Sequence, residues 1–134
     1  VHALSMRVLL DTSVLISDAI PAGLETSISA VSIGELHFGL LMATTDDERI
    51  RRAARLGAIE ERFAPLPVDG DVARAWGGLA SLVRRAEAQP RTRNADLLIA
   101  ATAQVHGAVL LTHNVADFSH INQVVRVLHP SEII

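Results

Sequence analysis

The 134-residue chain has no cysteine, no lysine and no tyrosine, with one tryptophan and three phenylalanines. Without cysteine there is no disulfide framework, no thiolate zinc site and no thiol redox chemistry. Without lysine, the strong bases are twelve arginines. So few aromatics make a poor stacking platform for single-stranded bases. No apolar run approaches the roughly 20 residues of a membrane span. No charged segment followed by an apolar stretch and a cleavage site opens the chain, so it is read as soluble and cytoplasmic. A net charge of −3 excludes a strongly basic nucleic-acid binder while leaving room for a local patch.

What is present is a core. Nearly half of the residues (49%) are apolar, which excludes general disorder. A chain of this length buries roughly two thirds of its unfolded surface as one domain. No repeat or linker divides it, so residues 1–134 are read as a single domain whose first five residues form a loose end.

Short apolar runs alternate with segments of helical period, the pattern of βα units on a buried parallel sheet. Strands are expected at 6–10, 26–30, 66–68, 108–112 and 124–128, the third at an edge because of Pro67. Helices are expected at 13–19, from Ser32, at 46–62, from Asp69 or Asp71 to about 87, and at 94–106. Ser32-x-x-Glu35 and Thr45-x-x-Glu48 read as capping boxes. Pro90 and Gly107 read as stops. The expected fold is a three-layer α/β/α domain with a mainly parallel sheet of about five strands.

In such sheets ligands bind beyond the carboxyl ends of the strands, where strand order reverses. Strand ends and helix starts deliver four acids there: Asp11, Glu35, Asp96 and Asp117. Each has a purely structural use. Asp11 can cap the next helix, Glu35 can complete a capping box, Asp96 suits a helix dipole and Asp117 suits a turn. As a set they repel one another, and a fold keeps such a set mainly when cations neutralise it. All-oxygen ligands select hard ions, so Mg²⁺ or Mn²⁺ is expected.

Four segments carry a family resemblance in order and spacing. They are Leu10-Asp11-Thr12-Ser13-Val14-Leu15, Ser32-x-x-Glu35-Leu36-x-x-Gly39, Asn94-Ala95-Asp96-x-x-Ile99-Ala100-Ala101-Thr102-Ala103 and Leu111-Thr112-x-Asn114-x-x-Asp117-Phe118. Together they resemble PIN-domain ribonucleases, in particular VapC-type toxins of bacterial toxin–antitoxin pairs. The resemblance runs from Met6 to the end, though 43–93 carries no specific motif. It implies a PIN-like fold and metal-dependent endonucleolytic cleavage of RNA. It places the family's acidic quartet on Asp11, Glu35, Asp96 and Asp117, as catalytic residues and ion ligands. It places supporting polar groups on Thr12, Ser13, Thr112 and Asn114. It further implies a small VapB-like antitoxin, a homodimer and a higher assembly with the antitoxin. The alternative is a noncatalytic PIN-like module that binds RNA or protein.

Arg49, Arg51, Arg52 and Arg55 crowd one helix and are read as a solvated face. Arg91 and Arg93, leading into the Asp96 helix, are read as RNA-phosphate contacts. No two histidines share helical i, i+4 spacing, which argues against a zinc site. The run Leu36, Phe38, Leu40, Leu41 and Met42 exceeds what one buried face needs, and reads either as core or as a partner surface. A receiver-type phosphoacceptor would need a lysine after a late strand, and the chain has none. A haloacid-dehalogenase-type phosphatase would need a second Asp two residues after Asp11, where Ser13 stands.

Overall fold

A computed structural model describes residues 6–17, 20–86 and 94–133. The expected loose end at 1–5, the helix end at Ala19, the stop at Glu87 to Pro90, and Arg91 and Arg93 lie outside the described residues. The elements are β1 (Arg7–Leu10), α1 (Thr12–Ile16), β2 (Glu25–Ile28), α2 (Ala30–Leu41), α3 (Asp46–Arg62), α4 (Gly70–Arg85), α5 (Asn94–Val105), β3 (Val109–Leu111) and β4 (Val127–Leu128). Short 3₁₀ turns cover Val115–Phe118 and Pro130–Glu132.

The strands form one parallel sheet in the order β2-β1-β3-β4. Leu10 lies in register with Ile28 on one side and Leu111 on the other. In β1, Val8, Leu9 and Leu10 are fully buried because both sheet faces are covered. Side chains alternate across the sheet, so Leu9 faces one core and its neighbours the other. Leu9 and Leu110 pack with Val72, Leu79 and Val83 of α4 and with Leu97 and Ile99 of α5. Val8, Leu10 and Leu111 pack with Val14 of α1, Leu36 of α2, and Leu56 and Ile59 of α3. These are the three expected layers. Each fully buried leucine contributes about 1.5–3 kcal/mol through burial.

Local chemistry sets the helix limits. Thr45 caps α3 by accepting from the Glu48 amide at 3.1 Å, and three acids in the first turn complement the dipole. At α4 the cap is Asp69, which accepts from the Val72 amide at 3.0 Å. Past the end of α5, Gly107 adopts φ +62°, which favours glycine for want of a Cβ.

Three boundaries depart from the sequence pattern. Helix α2 begins at Ala30, capped by Ser29, so Ser32 lies inside the helix and caps nothing. Ser29 wins because β2 ends at Ile28 and the chain turns at once. The expected strand at 66–68 reduces to one parallel bridge between Ser29 and Leu66, since Pro67 has no amide to extend the ladder. The last strand keeps only Val127–Leu128 of the expected 124–128. The sheet therefore has four strands, with Leu66 as a fifth contact at the β2 edge.

Because all strands run the same way, Asp11, Ser29, Thr112 and His129 all lie at one sheet end. The chain goes from β1 to β2 on one side and returns to β3 on the other. The reversal thus falls between Asp11 and Thr112.

Candidate active site

Asp11 follows β1 directly, and its amide donates to the Leu111 carbonyl at 2.9 Å. That bond continues the ladder by one residue and points the Asp11 side chain into the gap between two strand ends. The residue is 5% exposed. It occupies the N-cap position of α1 yet makes no side-chain cap bond, so the capping use open to it in the sequence is not what it does.

Two hydroxyls hold it instead. Ser13 Oγ donates to Asp11 Oδ2 at 2.9 Å, and Thr112 Oγ1 donates to the same oxygen at 2.8 Å. Backbone amides stand behind both. The His113 amide donates to Ser13 Oγ at 3.1 Å, and the Asn114 amide donates to Thr112 Oγ1 at 3.0 Å. Two donor chains thus converge on one carboxylate oxygen and fix its orientation. Oδ1 accepts no hydrogen bond among the described residues.

The neighbouring residue organises Glu35. Thr12 Oγ1 donates to Glu35 Oε1 at 2.7 Å and lies 2.8 Å from Ser32 Oγ. A hydroxyl has a single proton, so with Thr12 donating to Glu35 the proton between Thr12 and Ser32 comes from Ser32. Ser32 is fully buried and serves as the anchor of this relay. With Ser29 as the α2 cap, Glu35 completes no capping box. The structural explanations available for Asp11 and Glu35 are both absent.

Asp96 lies half-buried in the first turn of α5, a helix that packs against α2. Asp117 is exposed in the 3₁₀ turn after β3. The bonds that hold Asp11 and Glu35 involve neither of them. Among the described residues no three His, Asp or Glu side chains form a group able to share an ion. The structure therefore forms two adjoining hydrogen-bond clusters, Asp11 with Ser13 and Thr112, and Glu35 with Thr12 and Ser32, linked by the peptide chain at Asp11–Thr12–Ser13; Asn114 enters the first through its backbone amide and is itself exposed.

By donor type the site fits a hard divalent cation. The donors are oxygens, and a carboxylate as buried as Asp11 calls for compensating charge. The ion pairs among the described residues join Arg7 to Glu25, Arg49 to Asp46, Arg52 to Glu48 and Arg74 to Asp71, and none includes Asp11 or Glu35.

Two clefts open at Glu35. One, of about 420 Å³, is lined by Ile16, Leu36 and Gly39 together with Arg51, Arg52 and Arg55 of α3. The other, of about 580 Å³, runs past Thr12, Ile16, Val31, Gly34 and Phe38. The apolar run of α2 divides here: Leu36 is buried in the core, whereas Phe38, Leu41 and Met42 are exposed at 65, 70 and 58%.

Sequence reasoning missed Ser32, which it read as a cap. Its burial was the signal available: a serine on the apolar side of an amphipathic helix needs a polar partner inside. It also missed the contact of His113 with His129, whose rings meet edge to face with centroids 5.1 Å apart. His113 Nε2 lies 2.9 Å from Ser17 Oγ. Nothing local links residues 16 positions apart on separate loops.

With this geometry established, similarity to known proteins assigns the class. Residues 8–123 match the PIN domain family. The chain is 37% identical over 115 residues to Ribonuclease VapC4 of Mycobacterium tuberculosis, covering 81% of this chain and 86% of the relative. It is 34% identical over 120 residues to Ribonuclease VapC5 of the same organism, covering 84% and 86%. The crystal structure of VapBC-5, a toxin–antitoxin system member from that organism, superposes with a TM-score of 0.77 at 31% identity, covering 92% of this chain and 96% of the other. The chain belongs to the PIN-domain family, within its VapC type.

Proposed function

We propose that the protein is a divalent-metal-dependent endoribonuclease and the toxin of a type II toxin–antitoxin pair. The observation that carries this reading is Asp11: a buried carboxylate at the topological switch point, gripped through one oxygen, free of any capping duty and lacking a cationic partner among the described residues. The relatives named as ribonucleases support the same activity.

On this reading Asp11, Glu35, Asp96 and Asp117 would hold Mg²⁺ or Mn²⁺, whose charge would offset the repulsion among the carboxylates. The ion supplies Lewis-acid activation of water and neutralises charge growing on the phosphoryl group. Ser13 and Thr112 keep the Asp11 carboxylate aimed. Glu35, steered by Thr12, orients the attacking water. The side-chain amide of the exposed Asn114 hydrogen-bonds the RNA phosphate. Arg91 and Arg93 remain phosphate contacts in this proposal.

A small VapB-like antitoxin restrains the enzyme, covering Phe38 and its apolar neighbours beside Glu35. The solved neighbour is itself a VapBC member, which supports this partner. A homodimer, and a higher assembly with the antitoxin, complete the proposal. No described helix is long and apolar enough to cross a membrane.

The experiment is cleavage of single-stranded RNA with Mg²⁺, with EDTA, and with Asp11→Asn in Mg²⁺, followed by sequencing of the new ends. Cleavage confined to the wild type with Mg²⁺ is expected. RNA that is bound but uncut by the wild type in both Mg²⁺ and Mn²⁺ would instead establish a noncatalytic binding module.

A further inference from the structure

The four arginines of α3 look alike in the sequence, and the structure separates them. Arg49 donates to Asp46 at 2.7 Å. Arg52 donates to the Gly39 carbonyl at 2.7 Å and lies 3.7 Å from Glu48. Both are tied down. Arg51 and Arg55 make no ion pair or hydrogen bond among the described residues, and both line the cleft that opens at Glu35. Arg51 feels the Glu48 charge only weakly and at longer range, and neither guanidinium is held in a direct ion pair, so both share a cavity with an acid of the candidate active site. Apart from Glu35, the lining of that cleft is apolar or basic.

We propose that Arg51 and Arg55 form a clamp for a phosphate of single-stranded RNA flanking the one to be cut. This inference rests on the ribonuclease reading above and specifies how that enzyme holds its substrate. A guanidinium offers a rigid fork of donors suited to phosphate oxygens, and two of them can cradle one group. The cleft volume is within the range of small-ligand sites. Glu35 repels phosphate on its own side, which directs the bound group toward α3. An acidic protein segment would also satisfy two arginines. RNA fits better because Glu35 lines the cleft and is hydrogen-bonded to Thr12, the residue next to Asp11, so a strand in the cleft lies beside the candidate active site.

The test uses the full chain in EDTA, where RNA is bound without being cut, and fluorescence anisotropy of a labelled single-stranded RNA across a salt series. Arg51→Gln/Arg55→Gln is compared with Arg84→Gln/Arg85→Gln, which removes equal charge from exposed positions outside the cleft. The clamp pair is expected to weaken binding roughly tenfold and to reduce the salt slope by about 0.7, the value for one phosphate contact on a single strand. The charge-matched pair is expected to change both much less. Equal effects from the two pairs, or an unchanged slope in the clamp pair, overturn the clamp. In the latter case, weakened binding of an acidic partner segment by the same pair would reassign the arginines to a protein partner. A wild type that neither binds nor cuts RNA overturns the ribonuclease reading, and the clamp falls with it.

Discussion

Replacing Asp11 with Asn and with Ala should shift stability in opposite directions, and the contrast reports why the carboxylate is there. The native group accepts two hydroxyl bonds on Oδ2 while only 5% exposed. Asn keeps an acceptor oxygen for Ser13 and Thr112. Each bond falls from the charged to the neutral class, a loss of about 1–1.5 kcal/mol apiece. Against that stands the effective desolvation penalty of a buried carboxylate, several kcal/mol. Desolvation is the larger, so Asp11→Asn should be at least as stable as the wild type in EDTA, by about 1 kcal/mol or some 4 °C in Tm. Ala removes the acceptor; the Ser13 and Thr112 hydroxyls, 3.3 Å apart, can bond each other, which leaves one hydroxyl proton without an acceptor at about 1–3 kcal/mol, so Asp11→Ala should melt below the wild type. Thermal unfolding followed by circular dichroism reads all three proteins. Mg²⁺ at about 100 times its Kd should stabilise the wild type by about 2.7 kcal/mol and leave Asp11→Asn unmoved. If Asn loses as much stability as Ala, or gains as much from Mg²⁺ as the wild type, the carboxylate is a structural anchor and the reasoning is wrong.

Thr12→Val removes the hydroxyl between Ser32 and Glu35; cleavage should fall about tenfold, the equivalent of roughly 1.4 kcal/mol in the barrier, and Thr12→Ser should restore it. A Val variant with full activity would detach Glu35 from the reaction. Ser29→Ala should cost α2 its cap, about 1 kcal/mol of stability by denaturant titration, with RNA cleavage preserved. Gly107→Ala forces a Cβ onto φ +62° in otherwise open space, so backbone strain alone should destabilise by about 1 kcal/mol. The Glu48 carboxyl is held below its ordinary 4.5, first by the Thr44 amide and then by Arg52, the Thr44 hydroxyl and Arg51. A lowered folded-state pKa gives stability that is present above 4.5 and lost as pH falls through the folded value. The Tm gap between wild type and Glu48→Gln should therefore be constant near neutrality and close between pH 4.5 and the acid limb; a gap that stays open in acid contradicts the assignment.

Much of this molecule is written locally. Alternating runs announce a parallel sheet, because strands buried on both faces must be apolar throughout, as Val8, Leu9 and Leu10 are. Thr45 and Asp69 stand where amides need acceptors. Asp11 and Thr112 could be placed at strand ends because parallel topology sends every strand end to the same side. Other features depend on contacts that no local pattern encodes. The Thr112 bond to Asp11 spans 101 positions and the Thr12 bond to Glu35 spans 23. Ser32 satisfies the cap motif as well as Ser29 does, and only the abrupt end of β2 decides between them. Arg51 and Arg49 are the same residue two positions apart on one exposed stretch. Helical rotation turns one toward Asp46 and the other toward the cleft, and only packing of α3 on α2 creates that cleft. The sequence by itself determined which elements form and which chemical groups stand at their ends, since propensity, periodicity and capping act over a few residues. The tertiary structure decided which of those groups meet, because a hydrogen bond or a cleft exists only where packed elements bring distant residues within a few ångströms.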